Sequence, residues 1–380
     1  MKIFYFLIII ELINLFSYVQ GFYNCCTKYP DVIEEHHNVE ITSQDNNLCR
    51  CQNYQISQLS RIIIKMKSQG ETVFKQANDA IGSGLIGTIY HAYWPSKNIC
   101  VAIKVVFKNS NKKAAKNELK VLKVISSKPE EERDYLIYMY GYYLKPIYLF
   151  NQSTYMKIIM ELGEKNLYDY FLEKNQGLPI SEENEQYEIS AEREQLLTNI
   201  FKCSAKGVEQ FHKIGIHMDI KVINFVVIKN INLEEQFKCK LIDFNSSIIT
   251  NDDFKILKRF IGTIECLPQE FFDEADTYGG YKATRQVDIW AFGVLMTTMM
   301  RFRFNNGEQI IGSPREQLLH ELEIYRLNIN YNTRFDRILK GCIQLNPYNR
   351  PSMTAIVRFL EDKCDGFIYE EGNYQSNRIC

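Results

Sequence analysis

The sequence predicts an α+β chain in which a small lobe of antiparallel β-strands with one helix precedes a larger, mainly helical lobe. Three observations lead there. Between about residues 73 and 160, short β-branched and aromatic runs alternate with turn residues, the pattern of half-buried antiparallel strands. From about residue 161 the apolar residues recur at helical spacing instead. The length of 380 residues, with 46% hydrophobic and 24% charged, is enough for two such bodies and is ordinary for globular chains.

The first 21 residues, MKIFYFLIIIELINLFSYVQG, pass from Lys2 through an apolar stretch to Gly21, with Val19 two residues before it. That is the order of a cleavable secretory signal. Glu11 interrupts the apolar stretch and argues against a permanent span, and no later stretch is long and apolar enough to cross a bilayer. The mature chain is therefore expected to have no membrane span, and to be secreted or to work in the secretory route.

Residues 22–72 follow as an extension rich in Asn, Gln, Glu and Cys, read as stapled or loosely ordered. Of eleven cysteines it holds four, Cys25, Cys26, Cys49 and Cys51. In a secreted chain these are most simply read as disulfides, with a connectivity that the sequence does not give. His36 and His37 lie between the two pairs and leave zinc as an alternative, although the spacing fits no common finger. Cys364 and Cys380 fall late, and the five cysteines between residues 100 and 342 are scattered singly, as small core residues would be.

The runs IGSGLIGTIYHAYW and NICVAIKVVF read as strands, and NKKAAKNELKVLKVIS as a helix with Leu122 and Ile125 on one stripe. Two further apolar runs, Tyr138–Leu144 and Tyr155–Leu162, complete the small lobe. In the larger lobe AEREQLLTNIFKCSAKGVEQFHKIG is amphipathic, and VDIWAFGVLMTTMM is apolar nearly all round, as a central buried helix would be. The polar stretch 174–188 reads as a surface insertion. A formal net charge of −1 argues against nucleic-acid binding and against a basic membrane surface.

The glycines Gly82, Gly84 and Gly87 form GxGxxG between two strands rather than between a strand and a helix. That is a hairpin whose backbone can approach phosphates, and by itself a weak signal. Lys104 stands on an otherwise apolar strand, where the plain reading is a lysine that snorkels to solvent. Glu118, however, shares the inward stripe of Leu122 and Ile125, and an inward carboxylate needs a cation, for which Lys104 is the candidate. In HMDIKVINF, Asp219, Lys221 and Asn224 interrupt an apolar run, which is costly unless partners hold them.

Taken in order, these motifs resemble the eukaryotic protein kinases over roughly residues 73–362. HMDIKVINF resembles the catalytic loop, LIDFN the metal-binding loop, GTIECLPQE the end of the activation segment, VDIWAFG the central helix and CIQLNPYNRPSM the end of the large lobe. KIIMELGEKNL, DIKVINF and GTIECLPQE look most similar to the monopolar-spindle type of dual-specificity kinase. The resemblance implies the two-lobed protein kinase fold, with a small lobe over 73–160, a large lobe over 161–362 and a tail over 363–380. It implies ATP, Mg2+ and a protein substrate.

It also implies roles. Asp219 would accept the proton of the substrate hydroxyl, Lys221 would neutralise the transferring phosphoryl group, and Asn224 with Asp243 would hold magnesium. Lys104 would touch the ATP phosphates, steadied by Glu118. Ile81, Gly82, Ser83, Gly84, Gly87, Ile89 and Ala102 would enclose the nucleotide, with Met160 as gatekeeper and Glu161, Leu162 and Gly163 as the hinge whose backbone bonds the base. Lys221 and Thr263 resemble the serine/threonine branch, and Thr263 would belong to the substrate-docking segment. Asp288 would tether the catalytic loop, and Glu270 would pair with Arg350.

Several positions depart from the family pattern. Met218 stands where an arginine usually precedes the catalytic aspartate, so control by activation-segment phosphorylation is not expected. The stretch before Asp219 is one residue short. Asn245 replaces the glycine of the metal loop, as a residue that tolerates left-handed backbone. Asn245-Ser246-Ser247 and Asn151-Gln152-Ser153 are glycosylation acceptor patterns. Three readings therefore stand at this point: a secreted kinase, a secreted pseudokinase serving as a nucleotide- or protein-binding scaffold, and a small-molecule phosphotransferase, against which the peptide-docking segment speaks.

Overall fold

A computed structural model describes residues 48–84, 86–107, 111–144, 154–176, 189–228, 237–260, 262–273, 275, 279–300, 313–370 and 378–380. The signal, Cys25, Cys26, His36, His37, the Asn151 acceptor pattern and nearly all of the polar stretch 174–188 lie outside them. The chain forms two compact units, Met1–Lys112 with Gly141–Ile159, and Lys113–Tyr140 with Met160–Cys380. This is the expected α+β architecture of a β-sheet lobe and a mainly helical lobe.

The sheet of the first unit contains β1 (Ser60–Met66), β2 (Gly70–Ser83), β3 (Gly87–Trp94) and β4 (Ile99–Phe107), then β5 (Met139–Leu144) and β6 (Thr154–Glu161). Its order is β1-β2-β3-β4-β6-β5. The first four strands pair antiparallel in sequence order, each with its neighbour. β1 falls within the stretch read as a loose extension. Its alternation is plain once seen: Ile62, Ile64 and Met66 are buried while Ile63 and Lys65 face solvent, which is what a half-buried strand requires. The Cys and Asn composition around it masked that short pattern.

Gly87 owes its identity to packing. A Cβ there would sit 2.3 Å from the backbone oxygen of Val105 on β4, whereas at Gly84 it would meet nothing within 4 Å. Gly87→Ala therefore forces the β3–β4 pair apart, at a cost of about 2 kcal/mol. Thermal melts check this, with Gly84→Ala expected to stay near wild type.

In the second unit, the helix α1 (Lys112–Ser126) buries Ala115, Glu118, Leu119, Leu122 and Ile125. After β6 come α2 (Leu167–Asn175) and α3 (Ala191–His212), the latter capped by the Ser190 side chain, which accepts from Arg193 N. The cap satisfies one of the amides that a helix start leaves unpaired. Short strands β7 (Gly215–Ile216), β8 (Phe225–Val227), β9 (Cys239–Leu241) and β10 (Ile248–Ile249) then form two small ladders, β7 with β10 and β8 with β9. The hairpin-like pair β11 (Phe254–Leu257) and β12 (Tyr281–Thr284) leads into α4 (Arg285–Met299). As expected from its sequence, α4 is buried on nearly every side. The helices α5 (Pro314–Leu327), α6 (Arg334–Cys342) and α7 (Met353–Leu360) complete the unit.

Disulfides join Cys203 to Cys239 and Cys364 to Cys380. The first corrects the reading of Cys203 and Cys239 as isolated core residues, because α3 and β9 pack together and bring into contact two cysteines far apart in sequence. Cys49 and Cys51 carry free thiols, contrary to the disulfide reading for this pair. Among the described residues no helix is long and apolar enough to cross a membrane.

Candidate active site

Asp219 is the centre of a hydrogen-bonded group within the second unit. Its Oδ1 accepts from Thr263 Oγ1 at 2.7 Å and from Thr263 N at 3.1 Å. Its Oδ2 accepts from Lys221 Nζ at 2.9 Å and from Asn224 Nδ2 at 3.0 Å. Lys221 Nζ also donates to Thr263 Oγ1 at 2.9 Å. The interrupted apolar run of the sequence is thus explained, since each polar side chain is held by the others.

Burial by itself would push the Asp219 carboxyl up. The charge of Lys221 and hydrogen bonds from Lys221 and Thr263 outweigh it and hold the carboxyl below the ordinary aspartate range. Burial likewise opposes the charge on Lys221, but Asp219 raises its pKa above the usual lysine value. Both groups are consequently ionised across the neutral range, leaving a carboxylate as acceptor and an ammonium beside it.

The loop that carries Asp219 is fixed from below by Asp288 on α4. The buried Asp288 carboxylate accepts the backbone N–H of His217 at 2.7 Å and of Met218 at 2.8 Å, as expected of a tether. His217 Nε2 lies 3.2 Å from Ile242 O and its Nδ1 accepts from Asp219 N at 3.3 Å, so Nε2 carries the proton. The Phe244 ring packs edge-on against His217 at 5.4 Å and stacks on Phe211 at 5.1 Å. One residue fewer before Asp219 therefore leaves His217 in a defined structural place.

Burial lowers the His217 pKa, and the carboxylates Asp288, Asp219 and Asp243 only partly offset it. An unfolded chain takes up that proton near pH 6.5, whereas the folded one resists until lower pH. Stability from this group is thus complete above about pH 6.5 and declines as pH falls toward the folded value. Melting temperature measured from pH 7.5 to 5.5 should fall, with a shallower slope in His217→Phe.

Met218 adopts a left-handed backbone, φ 68°, and its side chain lies in a buried apolar cluster with Ile216, Leu267, Phe271, Ala283 and Val287. Leu267 follows Thr263 in the activation-segment motif, and Phe271 comes directly after that motif. Apolar packing here stands where an arginine would reach for a phosphate.

In the metal-loop motif the left-handed residue is Asp243, φ 64°, and Asn245 has no positive φ. This corrects the expectation that Asn245 serves by backbone tolerance. Its side chain acts instead: Nδ2 donates to Asp243 Oδ1 at 2.6 Å, and its Oδ1 accepts from Ser246 Oγ at 2.7 Å. Asn117 on α1 was not singled out by the sequence, yet its Nδ2 donates to Asn245 O at 3.0 Å and to Ser247 O at 2.8 Å. No periodicity marks such a residue.

Asn224 Nδ2 donates to both Asp219 O and Asp219 Oδ2, which turns its carbonyl oxygen to the opposite side. Ile242 N donates to Asn224 O at 2.9 Å, so Asp243 follows directly on the contact with Asn224. One amide oxygen and one carboxylate are the hard donors that magnesium takes, so these residues fit that ion.

The remaining nucleotide residues divide between the units. Ile81, Gly82 and Ser83 end β2, Gly87 and Ile89 open β3, and Gly84 N donates to Gly87 O at 3.0 Å to close the turn. Ala102 and Lys104 are buried on β4. Glu118 is buried on α1, in the second unit. Met160 and Glu161 end β6 in that unit, followed by Leu162. Glu161 N already donates to Tyr138 O at 2.9 Å, and its carboxylate takes Lys240 Nζ at 2.7 Å, a partner the sequence did not suggest. A Cβ at Gly163 would strike the Val226 side chain at 2.5 Å, which accounts for that glycine. Glu270 and Arg350 form the expected pair through two bonds, Nη1 to Oε1 at 2.6 Å and Nη2 to Oε2 at 3.0 Å.

Comparison with known proteins agrees with this geometry. The chain is 22% identical over 305 residues to a receptor-like serine/threonine-protein kinase of Arabidopsis thaliana, covering 74% of this chain and 75% of that protein. It is 24% identical over 285 residues to an Aurora kinase of Patiria pectinifera, covering 73% and 60% respectively. A dual specificity protein kinase YAK1 homolog of Arabidopsis thaliana is 23% identical over 225 residues, which span 58% of this chain but only 20% of that protein. The model of the protein kinase domain matches residues 75–359 of the 380, and the chain belongs to that family.

Proposed function

We propose that this chain is an ATP-dependent serine/threonine kinase of protein substrates, with Asp219 as the acceptor of the hydroxyl proton. The observation that carries the reading is the Asp219 carboxylate, ionised and held at once by Lys221, Thr263 and Asn224. In the transfer, a substrate oxygen bonds to the γ-phosphorus as the bond to the bridging oxygen of ADP breaks, and the hydroxyl proton passes to Asp219. Lys221 places positive charge beside the oxygens that gain negative charge. Lys104 would contact the ATP phosphates. Asn224 and Asp243 would hold magnesium, which when bound neutralises phosphate charge.

The serine/threonine assignment is supported by Lys221 and Thr263 meeting on Asp219 and by the names of the relatives. Dual specificity rests on the resemblance of DIKVINF and GTIECLPQE to the monopolar-spindle type. Action in the secretory route rests on the first 21 residues. The Asn245 acceptor pattern sets a condition on that route: its Nδ2 lies 2.6 Å from Asp243 Oδ1, so a glycan there would crowd the metal loop, and a working kinase in that route requires Asn245 to stay unmodified.

The test is transfer of labelled phosphate from magnesium ATP to a generic basic protein, followed by identification of the phosphorylated amino acids. Phosphoserine and phosphothreonine that vanish with Asp243→Asn are expected. A folded chain that binds nucleotide without transferring phosphate would favour the scaffold reading.

A further inference from the structure

We propose that Cys49, Cys51, His91 and Cys100 form a structural zinc site that staples residues 48–55 to the β-sheet of the first unit. Their ligand atoms all lie within 4.8 Å of one another. Nothing in phosphoryl transfer uses them.

Two segments bring the four together. Residues 49–54 form a tight turn, in which Cys49 N donates to Tyr54 O at 2.9 Å and Gln52 N to Cys49 O at 2.7 Å, with Gln52 left-handed at φ 60°. The turn sets both sulfurs on one side, 3.1 Å apart. On the sheet, His91 of β3 is opposite Ala102 of β4, two residues beyond Cys100, so His91 and Cys100 are diagonal neighbours on one face. Cys51 Sγ reaches His91 Nε2 at 3.1 Å and joins the two segments.

The surroundings suit thiolates bound to a cation. Tyr54 N donates to Cys49 Sγ at 3.3 Å. The Tyr54 ring lies against His91 with centroids 4.6 Å apart. Cys49 and His91 are each 1% exposed, while Cys51 and Cys100 are half-buried, which leaves an entry path. Arg50 adds a further tie, donating to Asn98 O at 3.2 Å.

Three sulfurs and one imidazole select zinc over magnesium or calcium, which want oxygen. Zinc–sulfur bonds of about 2.3 Å in a tetrahedron put sulfurs about 3.7 Å apart, so the two closest contacts would open by roughly half an ångström. Four protein ligands leave no position for substrate, hence a structural role. His91 would bind through Nε2. Its Nδ1 is buried with no hydrogen-bond partner among the described residues, so none of these residues supplies a carboxylate that would raise its basicity. Cys49 and Cys51 are too few for a finger, and their other two ligands lie about 40 and 49 residues further on, on strands that only the fold pairs.

The rival is a disulfide among the three cysteines. The experiment uses the full chain purified without chelator or reductant. Metal analysis should find about one zinc per folded chain, and cobalt exchanged into wild type should show thiolate charge transfer with tetrahedral bands. Cys51→Ser and His91→Ala should each lose most of the metal, Cys266→Ser none. Because the cobalt spectrum is read on wild type, a misfolded variant does not decide the matter. Folded wild-type protein with neither zinc nor a cobalt spectrum, or a peptide map showing a disulfide among Cys49, Cys51 and Cys100, overturns the site. Either result is independent of kinase activity.

Discussion

Asp219→Asn lowers kcat for phosphate transfer by about 10³-fold and leaves the KM for ATP within a factor of a few. The asymmetry follows from position. In the proposed transfer Asp219 would face the substrate hydroxyl beside Lys221, and it is assigned no contact with the nucleotide. Asparagine keeps the shape and can still accept from Thr263, but it has no charge with which to take the proton or to hold the Lys221 ammonium 2.9 Å away. Steady-state kinetics at saturating substrate check this. An equal rise in KM with kcat unchanged would place Asp219 in binding rather than chemistry.

Arg350→Ala destabilises the second unit by about 3 kcal/mol. The guanidinium is fully buried and makes two bonds to Glu270, one to Gln286 O at 3.0 Å and one to Gln344 O at 2.8 Å, and it lies 4.9 Å from the Trp290 ring centroid. Its removal strands the Glu270 carboxylate and two carbonyls together. Because Glu270 is 23% exposed, water relieves part of the cost, and the lower end of the range for buried pairs applies. The contrasting pair is Arg378 with Asp365, both well exposed, where truncation should leave the unfolding midpoint close to that of wild type. Urea unfolding of the two variants separates these cases.

Legibility in the sequence followed the range of the physics involved. The helices α1, α3 and α4 and the strands β3 and β4 announce themselves because their periodicity is local and strong, whereas of β2 only its last residues fall in a run read as strand. The Asp219, Lys221 and Asn224 spacing was legible for a similar reason, since three polar residues in an apolar run must find one another. β1 was missed because seven residues of alternation sit in a polar, cysteine-bearing stretch. Asn117, Lys240 and the Cys203–Cys239 bond were not legible at all. Each depends on segments that meet only after folding, and the partners are 36 to 130 residues away. Asn245 is the instructive case. The sequence shows an asparagine in place of glycine, for which backbone freedom is the natural explanation, but the fold puts the left-handed turn at Asp243 and gives Asn245 a side-chain bond to it.

Met218 links sequence to control in the same way. A methionine packed with Leu267 and Phe271 contributes apolar burial to the activation segment whether or not any residue there is phosphorylated. The bonds from Thr263, Lys221 and Asn224 to Asp219 are all made in the unmodified chain.

The central claim is that this network catalyses phosphoryl transfer in spite of Met218 and Asn245. The most direct measurement is single-turnover transfer from magnesium ATP by wild type and Asp219→Asn, each shown to be folded by its melting curve and to bind nucleotide equally. Transfer by wild type that is lost in the variant is the predicted result. Equal transfer by both, or none from a folded wild type saturated with nucleotide, would contradict it.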